Sequence, residues 1–340
     1  MNQLNIQQTL EQLYAGKSLS SEQSRAFFEH VVQGEIDPII LSSVLTALKI
    51  KGETPEEITG AAQALLAQAR PFPRPDYAFT DIVGTGGDGL GTINISTASA
   101  FVAAACGLKV CKHGSRSVSS QSGSSDLLAA FGVNLNMTPE VARQCLDTLN
   151  ICFIFAPQYH AGMRFAAPVR AALKTRSIFN VLGPLVNPAR PDFELMGVYT
   201  PELLKPIAEV HKQLGMKRVM VVFGSGLDEV ALHGETQVAE LIDGKIKEYT
   251  LTPADFGVDS YPVEAIFGGD AQENKVIIEK ILQGKGTDAQ QAAVAINTSA
   301  LLVLNGFADN FKDGTKQAMD MMLSGRPLQL VQQLAEHSQC

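Results

Sequence analysis

Residues 81–97 read DIVGTGGDGLGTINIST, and no other stretch limits the possible folds of this chain as much. A short apolar run leads into five glycines within eight residues, Gly84 to Gly91. Ser96-Thr97 then opens an apolar helical pattern. Strand, glycine loop and helix start, in that order, define one turn of an α/β fold. Glycines let backbone N–H groups approach an anion closely, and a helix N-terminus adds partial positive charge. The loop therefore reads as a phosphate cradle. It is not a Walker A loop, because no Gly-Lys-Ser/Thr follows, and its spacing departs from the dinucleotide pattern GxGxxG. A merely flexible glycine turn would leave the helix start at Asn94-Ile95-Ser96-Thr97 unexplained.

Three further segments carry chemistry. Lys112 to Ser124, KHGSRSVSSQSGS, again lies between a strand pattern and a helix pattern. Lys112 and Arg116 supply positive charge, and hydroxyls and amides supply neutral donors, as a ligand with several phosphates requires. A serine-rich surface loop would explain the serines but not this placement beside a first anion loop. Gly224-Ser225-Gly226-Leu227-Asp228-Glu229 follows the strand VMVVF. Its adjacent carboxylates suit Mg²⁺ held together with water and phosphate oxygens; a solvated acidic turn is the alternative. Finally, Arg164 and Arg170 lie near His160, and the spacing of 160 and 164 puts them on one face if that stretch is helical. One such arginine, turned into a cleft, would recognise a carboxylate; surface arginines on a helix are the alternative.

Around these segments the chain divides in two. Residues 1–70 carry only helix signals: Ser20-x-x-Gln23, Asp37-Pro38 and Thr54-Pro55-Glu56-Glu57 are helix starts, and Gly34 is a stop. PFPRPDY (71–77), with three prolines in seven residues, reads as a stiff linker. Beyond it, strand patterns at 80–83, 108–111, 151–155, 194–199, 218–223 and 237–242 alternate with helix patterns at 97–106, 124–132, 139–149 and 201–214. That is the signature of a parallel sheet with crossover helices. The last hundred residues read as helices broken near 268–270, 284–287 and 325–327. Residues 160–190 contain helix and turn but no strand, so they are expected to return to the N-terminal helices. The expected division is 1–70 plus about 160–190 as a small helical domain, with 76–159 and 191–340 as a larger α/β domain.

Composition removes several function classes. A net charge of −8 does not suit coating of nucleic acid. No apolar run reaches the length of a membrane span, and the N-terminus lacks a secretory pattern. Five cysteines without a CxxC pair, and six scattered histidines, give neither a disulfide framework nor a zinc site. A cytoplasmic location, without membrane or nucleic-acid partners, is the expectation.

Read together, ALKIKGETPEEI (47–58), DIVGTGGDG (81–89), NIST (94–97), KHGxRSVSS (112–120), SGSSDLL (122–128), FAPQYH (155–160), RSIFNVLGPLVNPA (176–189) and GLDEV (226–230) resemble the anthranilate phosphoribosyltransferases. Their fold is shared with class II nucleoside phosphorylases. The resemblance implies transfer of 5-phosphoribose from phosphoribosyl pyrophosphate to the amine of anthranilate, with release of pyrophosphate. It implies donor binding by Gly84, Gly87, Asp88, Thr92, Asn94, Ile95, Ser96 and Thr97. The loop Lys112, His113, Gly114, Ser115, Arg116, Ser117, Val118, Ser119 and Ser120, with Ser124, would complete the cradle. Ser96, Asp228 and Glu229 match the family's Mg²⁺ positions. Ser115 and Arg170 match its anthranilate contacts, with Gly84, His113 and His160 nearby. Lys112 and Arg116 would stabilise the leaving group, and His113 would take the amine proton. A homodimer through the helical domain is also implied. The chain departs from the family at Ser115, usually Asn, at Gln121, usually Lys, and at Phe223, usually His. A relative that serves another acceptor, or a binding paralogue without catalysis, is the alternative; the retained Asp228-Glu229 pair argues against the second.

Overall fold

The computed structural model describes residues 5–116 and 121–339. Ser117, Val118, Ser119 and Ser120 lie outside the described residues. Four helices come first: α1 (Ile6–Tyr14), α2 (Ser21–Gln33), α3 (Pro38–Lys51) and α4 (Pro55–Ala67). Their ends follow the sequence signals. Ser20 and Gln23 cap α2 reciprocally, and Gly34 ends it in a left-handed conformation. Thr54 and Glu57 do the same at α4, with Pro55 at its first position. Glu57 is buried, and Lys51 Nζ and the Leu19 amide meet its carboxylate at 2.8 and 2.9 Å.

Seven strands follow: β1 (Thr80–Gly84), β2 (Val110–Gly114), β3 (Ile151–Phe155), β4 (Phe193–Gly197), β5 (Arg218–Gly224), β6 (Thr236–Ile242) and β7 (Lys245–Leu251). They form one sheet in the order β3-β2-β1-β4-β5-β6-β7. The pairs from β3 to β5 are parallel, and β6 and β7 add antiparallel. The crossovers use α5 (Ile95–Ala105), α6 (Ser124–Ala130) and α7 (Pro139–Leu149). The sequence pattern did not include β7. Its signal is the Asp243-Gly244 turn, where both residues have positive φ, as a two-residue hairpin demands.

Residues 156–192 leave the sheet between β3 and β4. They form α8 (Ala156–Tyr159), a 3₁₀ turn (Ala161–Phe165), α9 (Ala167–Leu173) and α10 (Phe179–Leu185). This excursion packs with the N-terminal helices: Val169, Phe179 and Leu182 share a core with Phe28, Val44 and Leu45. Phe28 meets Phe179 edge to face at 5.7 Å. One expectation fails here. His160 and Arg164 do not share an α-helical face, because the helix ends at Tyr159 and a tighter turn follows. That turn presses Gly162 against α2, where a Cβ would stand 2.4 Å from the Val32 carbonyl oxygen. Arg164 stacks on its neighbour Phe165 instead.

The chain returns through β4 and then α11 (Leu204–Gln213), and closes with α12 (Ala271–Ile281), α13 (Asp288–Leu304), α14 (Phe311–Leu323) and α15 (Arg326–His337). Side chains alternate across the sheet, as strand geometry requires. Leu195, Met220 and Val222 join the core that contains α5 and α13. Met196, Val219 and Val221 join the one shared with α11 and the helical bundle. Both sheet faces are therefore covered, which a parallel sheet needs. No described helix is long and apolar enough to cross a membrane. No disulfide joins the four described cysteines; Cys111 and Cys152 are neighbours on β2 and β3, with sulfurs 3.3 Å apart.

Candidate active site

The chain goes from β1 to β2 on one side of the sheet and returns to β4 on the other side of β1. Ligands of open α/β sheets bind at the carboxyl ends of strands beside such a reversal. The glycine loop leaves β1 there. Gly86, Gly87, Gly89 and Gly91 all have positive φ, a conformation that costs other residues strain. The loop is stitched at its far end: Ile93 N–H donates to Ile266 O at 3.0 Å, and Gly268 N–H to Gly91 O at 2.9 Å. Thr92 bridges to Phe267.

Asp228 and Glu229, just after β5, close the site from the other side. The Gly86 amide donates to Asp228 Oδ2 at 2.6 Å. The Ser96 amide donates to Glu229 Oε1 at 3.1 Å, and the Ser96 hydroxyl bonds to the same oxygen. This approach requires two strand-end glycines. A Cβ on Gly84 would lie 2.2 Å from Asp228 Oδ2, and one on Gly197 would lie 1.6 Å from the Asp228 carbonyl oxygen. Burial, and then the neighbouring Asp88, push the Asp228 carboxyl above the usual range. Burial, and then Asp228, do the same to Glu229. Two buried carboxylates beside a hydroxyl, all hard oxygen donors in need of positive charge, fit Mg²⁺. No group of three His, Cys, Asp or Glu with metal spacing occurs among the described residues, so any further ligands would be Ser96, water or substrate.

Lys112 differs from a surface phosphate ligand. It is buried on β2, donates from Nζ to the Ile82 carbonyl at 2.6 Å, and feels Asp81, Glu229, Asp228 and Glu194. Asp81 was not singled out from the sequence, yet it organises this floor. Its Oδ1 accepts from the Ile82 amide at 2.7 Å and the His113 amide at 3.2 Å, and its Oδ2 accepts from Asn187 Nδ2 at 2.8 Å. Its signal was a charged residue inside an otherwise apolar strand.

His113 and His160 meet edge to face, with ring centroids 5.4 Å apart. Burial holds both well toward the neutral form; His160 is pushed down to about 4, and His113 lies well below its ordinary value. His160 Nε2 donates to Val186 O at 2.8 Å. His113 bonds to the Gly183 backbone, while its Nε2 has no protein partner. The ring therefore uses Nδ1–H for Gly183 and leaves the Nε2 lone pair free.

The remaining expected residues are distributed as follows. Asn94 is held in the fold: it donates to Ser122 O at 3.0 Å and accepts from Asn274 at 2.9 Å. Ile95 and Thr97 have buried side chains, which leaves their backbone for any ligand. Asp88 Oδ1 accepts from the Leu90 amide at 3.2 Å within the loop. Gly114 lies against Ser124, whose hydroxyl a Cβ would meet at 2.2 Å. Ser115 and Arg116 are exposed. The Ser115 carbonyl accepts from the Ser125 amide at 3.4 Å. Arg170 on α9 stands over the Phe179 ring at 5.3 Å, and burial lowers its pKa. Arg176 was not anticipated: it donates to the Gly87 carbonyl and stacks on Tyr199.

Comparison with known proteins agrees with this architecture. The pattern of the glycosyl transferase family's helical bundle domain matches residues 7–69, and that of its a/b domain matches 76–328. The chain is 84% identical to the anthranilate phosphoribosyltransferase of Psychromonas ingrahamii, over all of both chains. It is 63% identical to that of Tolumonas auensis, over 96% of this chain and 97% of that one. The crystal structure of the Thermus thermophilus enzyme superposes with a TM-score of 0.93 at 38% identity, covering 98% of this chain and 99% of that one. The Saccharomyces cerevisiae enzyme in complex with PRPP and Mg gives 0.91 at 28% identity, covering 98% of each. On these likenesses, which cover nearly the whole chain, it belongs to the anthranilate phosphoribosyltransferase family.

Proposed function

We infer that the chain transfers 5-phosphoribose from phosphoribosyl pyrophosphate to the amine of anthranilate, releasing pyrophosphate, as a step of tryptophan biosynthesis. The observation that carries this reading is the convergence of the glycine loop, Ser96 and the Asp228-Glu229 pair at the β1–β4–β5 ends.

The chemistry follows from charge. An aromatic amine is neutral at pH 7 and can attack without prior deprotonation. The barrier lies in the cation-like ribose carbon and the departing pyrophosphate. Mg²⁺ at Asp228, Glu229 and Ser96 would supply Lewis-acid stabilisation of phosphate oxygens. The loop amides and the α5 N-terminus bind phosphate through oriented N–H groups. Arg116, exposed just beyond β2, would stabilise the leaving group. Lys112 acts from the buried floor as a fixed positive charge. Arg170 holds the anthranilate carboxylate, with Ser115 beside it. The free Nε2 of neutral His113 accepts the amine proton. It is a weak base, but a ribosylated anilinium is a strong acid, so a weak base suffices. No covalent nucleophile is required; orientation of the amine against the ribose carbon supplies much of the rate.

Residues 1–70 with 160–190 form one wall of this site in our reading, and 76–159 with 191–340 the other. Tyr14, Ile39 and Ile50, exposed by 63%, 80% and 82% on α1 and α3, support a homodimer through the helical bundle. The four described cysteines are free thiols, which supports work in a reducing cytoplasm.

The deciding experiment follows anthranilate fluorescence. With no Trp in the chain, the protein background is low. Decay is expected only with protein, phosphoribosyl pyrophosphate and Mg²⁺ together. Donor binding without decay would overturn the assignment of the acceptor.

A further inference from the structure

Arg176 lies in the turn between α9 and α10, on the excursion that packs with the helical bundle. One contact holds it to the helical bundle, and two tie it across the cleft. Its carbonyl accepts from Lys49 Nζ of α3 at 2.8 Å. Its guanidinium lies 3.9 Å from the centre of the Tyr199 ring, just beyond β4. One guanidinium N–H bonds to the carbonyl of Gly87, in the middle of the glycine loop. A Cβ on Gly87 would come within 3.1 Å of the same nitrogen.

The consequence comes from peptide geometry. A trans peptide is planar, and its C=O and N–H point in opposite directions. Fixing the Gly87 carbonyl on Arg176 therefore fixes the direction of the Asp88 N–H. Gly87 and its neighbour Gly86 both have positive φ and little intrinsic preference, so without an anchor this peptide can rotate. The planar guanidinium is itself held by stacking on Tyr199 and presents several N–H donors in a rigid fork.

We propose that Arg176 is a positioning residue for the phosphoribosyl donor: it sets the peptide plane of the glycine loop from the opposite wall of the cleft. The proposal rests on the reading of the chain as a phosphoribosyltransferase. Its effect falls on the donor and not on anthranilate. Arg176 thereby differs from Arg170, which stands over Phe179 and faces the acceptor in our reading.

The test compares wild type with Arg176→Ala, Arg176→Lys and Tyr199→Leu. Steady-state rates give the Michaelis constants for both substrates, and calorimetry gives the affinity for phosphoribosyl pyrophosphate with Mg²⁺. Arg176→Ala is expected to weaken donor affinity about tenfold or more, the worth of one charged hydrogen bond. The anthranilate Michaelis constant should stay within about twofold, since Arg176 is assigned no acceptor contact. Tyr199→Leu, which removes the platform, should shift the donor constant in the same direction by less. Arg176→Lys, which keeps a donor but loses the planar fork, should fall between Ala and wild type. Because Arg176 is exposed, the thermal midpoint should not move. Unchanged donor affinity in Arg176→Ala, or a shift in the anthranilate constant alone, overturns the proposal. If wild type neither binds nor consumes phosphoribosyl pyrophosphate, the parent reading fails, and this one falls with it.

Discussion

Gly197 ends β4 beneath the Asp228-Glu229 pair, and replacing it with Ala tests how rigidly that pair is held. The new Cβ would fall 1.6 Å from the Asp228 carbonyl oxygen and 2.2 Å from its carbonyl carbon. Such atoms do not approach closer than 3.0 Å, so the Asp228 backbone must retreat by at least 1.4 Å. The obstacle is main chain, and no rotamer change relieves it. A retreat of that size stretches the 2.6 Å bond from the Gly86 amide beyond hydrogen-bonding distance and draws Glu229 away from Ser96. A misplacement of about 1 Å at a reacting centre costs on the order of 100-fold in rate. Overpacking at a rigid site costs about 3 kcal/mol. Gly84→Ala provides the contrast, because its obstacle is the Asp228 side-chain oxygen at 2.2 Å, which can rotate away. That variant should keep its fold to within about 1 kcal/mol while needing far more Mg²⁺ for turnover. Guanidinium unfolding and the fluorescence assay at graded Mg²⁺ measure both quantities. Gly197→Ala with wild-type stability and rate would refute the claim that these contacts set the site.

Four further outcomes are expected. Glu229→Gln removes the cost of holding a carboxyl buried beside Asp228, so the metal-free protein should gain on the order of 1 kcal/mol while Mg²⁺-supported turnover collapses; a less stable variant would contradict the electrostatic account. His211 lies 3.7 Å from Glu194, but burial keeps both neutral and pushes the imidazole down to about 3. Below pH 6.5 the unfolded chain therefore takes up a proton that the fold refuses. This contribution is complete above pH 6.5 and is lost toward pH 3, at about 1.4 kcal/mol per pH unit. His211→Leu should flatten stability against pH between 4 and 6, and an unaltered slope would disprove the assignment. Ile39→Glu with Ile50→Glu should shift the solution mass from twice 36.4 kDa to 36.4 kDa; a surviving dimer would move the interface elsewhere. Ser115→Asn and Gln121→Lys, which restore the family residues, should raise kcat/KM, and no gain in either would show that these positions do not limit activity.

The sequence revealed those parts of the molecule that local rules control. The caps at Ser20 and Thr54 depend on residues three apart, and the glycine loop declares itself through backbone needs that few other residues meet. The Asp228-Glu229 pair stands out because adjacent carboxylates at a strand end, in a chain with two phosphate-type loops, suit Mg²⁺. What escaped was long-range. Asp81 and Asn187 are bonded across 106 residues, and Arg176 reaches Gly87 across 89. Lys112 looked like a phosphate ligand because its burial beneath Ile82 depends on which strands are neighbours. β7 was missed although Asp243-Gly244 announced it, since Lys, Glu and Thr on an edge strand leave only a faint apolar alternation.

The bond from the Gly86 amide to Asp228 spans 142 residues. On the ribosome, where chains grow at about 5–20 residues per second, the second partner emerges roughly 7 to 30 s after the first. For most of that interval β1 also lacks β4, its neighbour on one side. The phosphate loop is thus complete in composition long before it is complete in space. The paired carboxylates reach the loop only once two-thirds of the chain exists, which makes the Gly86–Asp228 bond a report that the central sheet has closed.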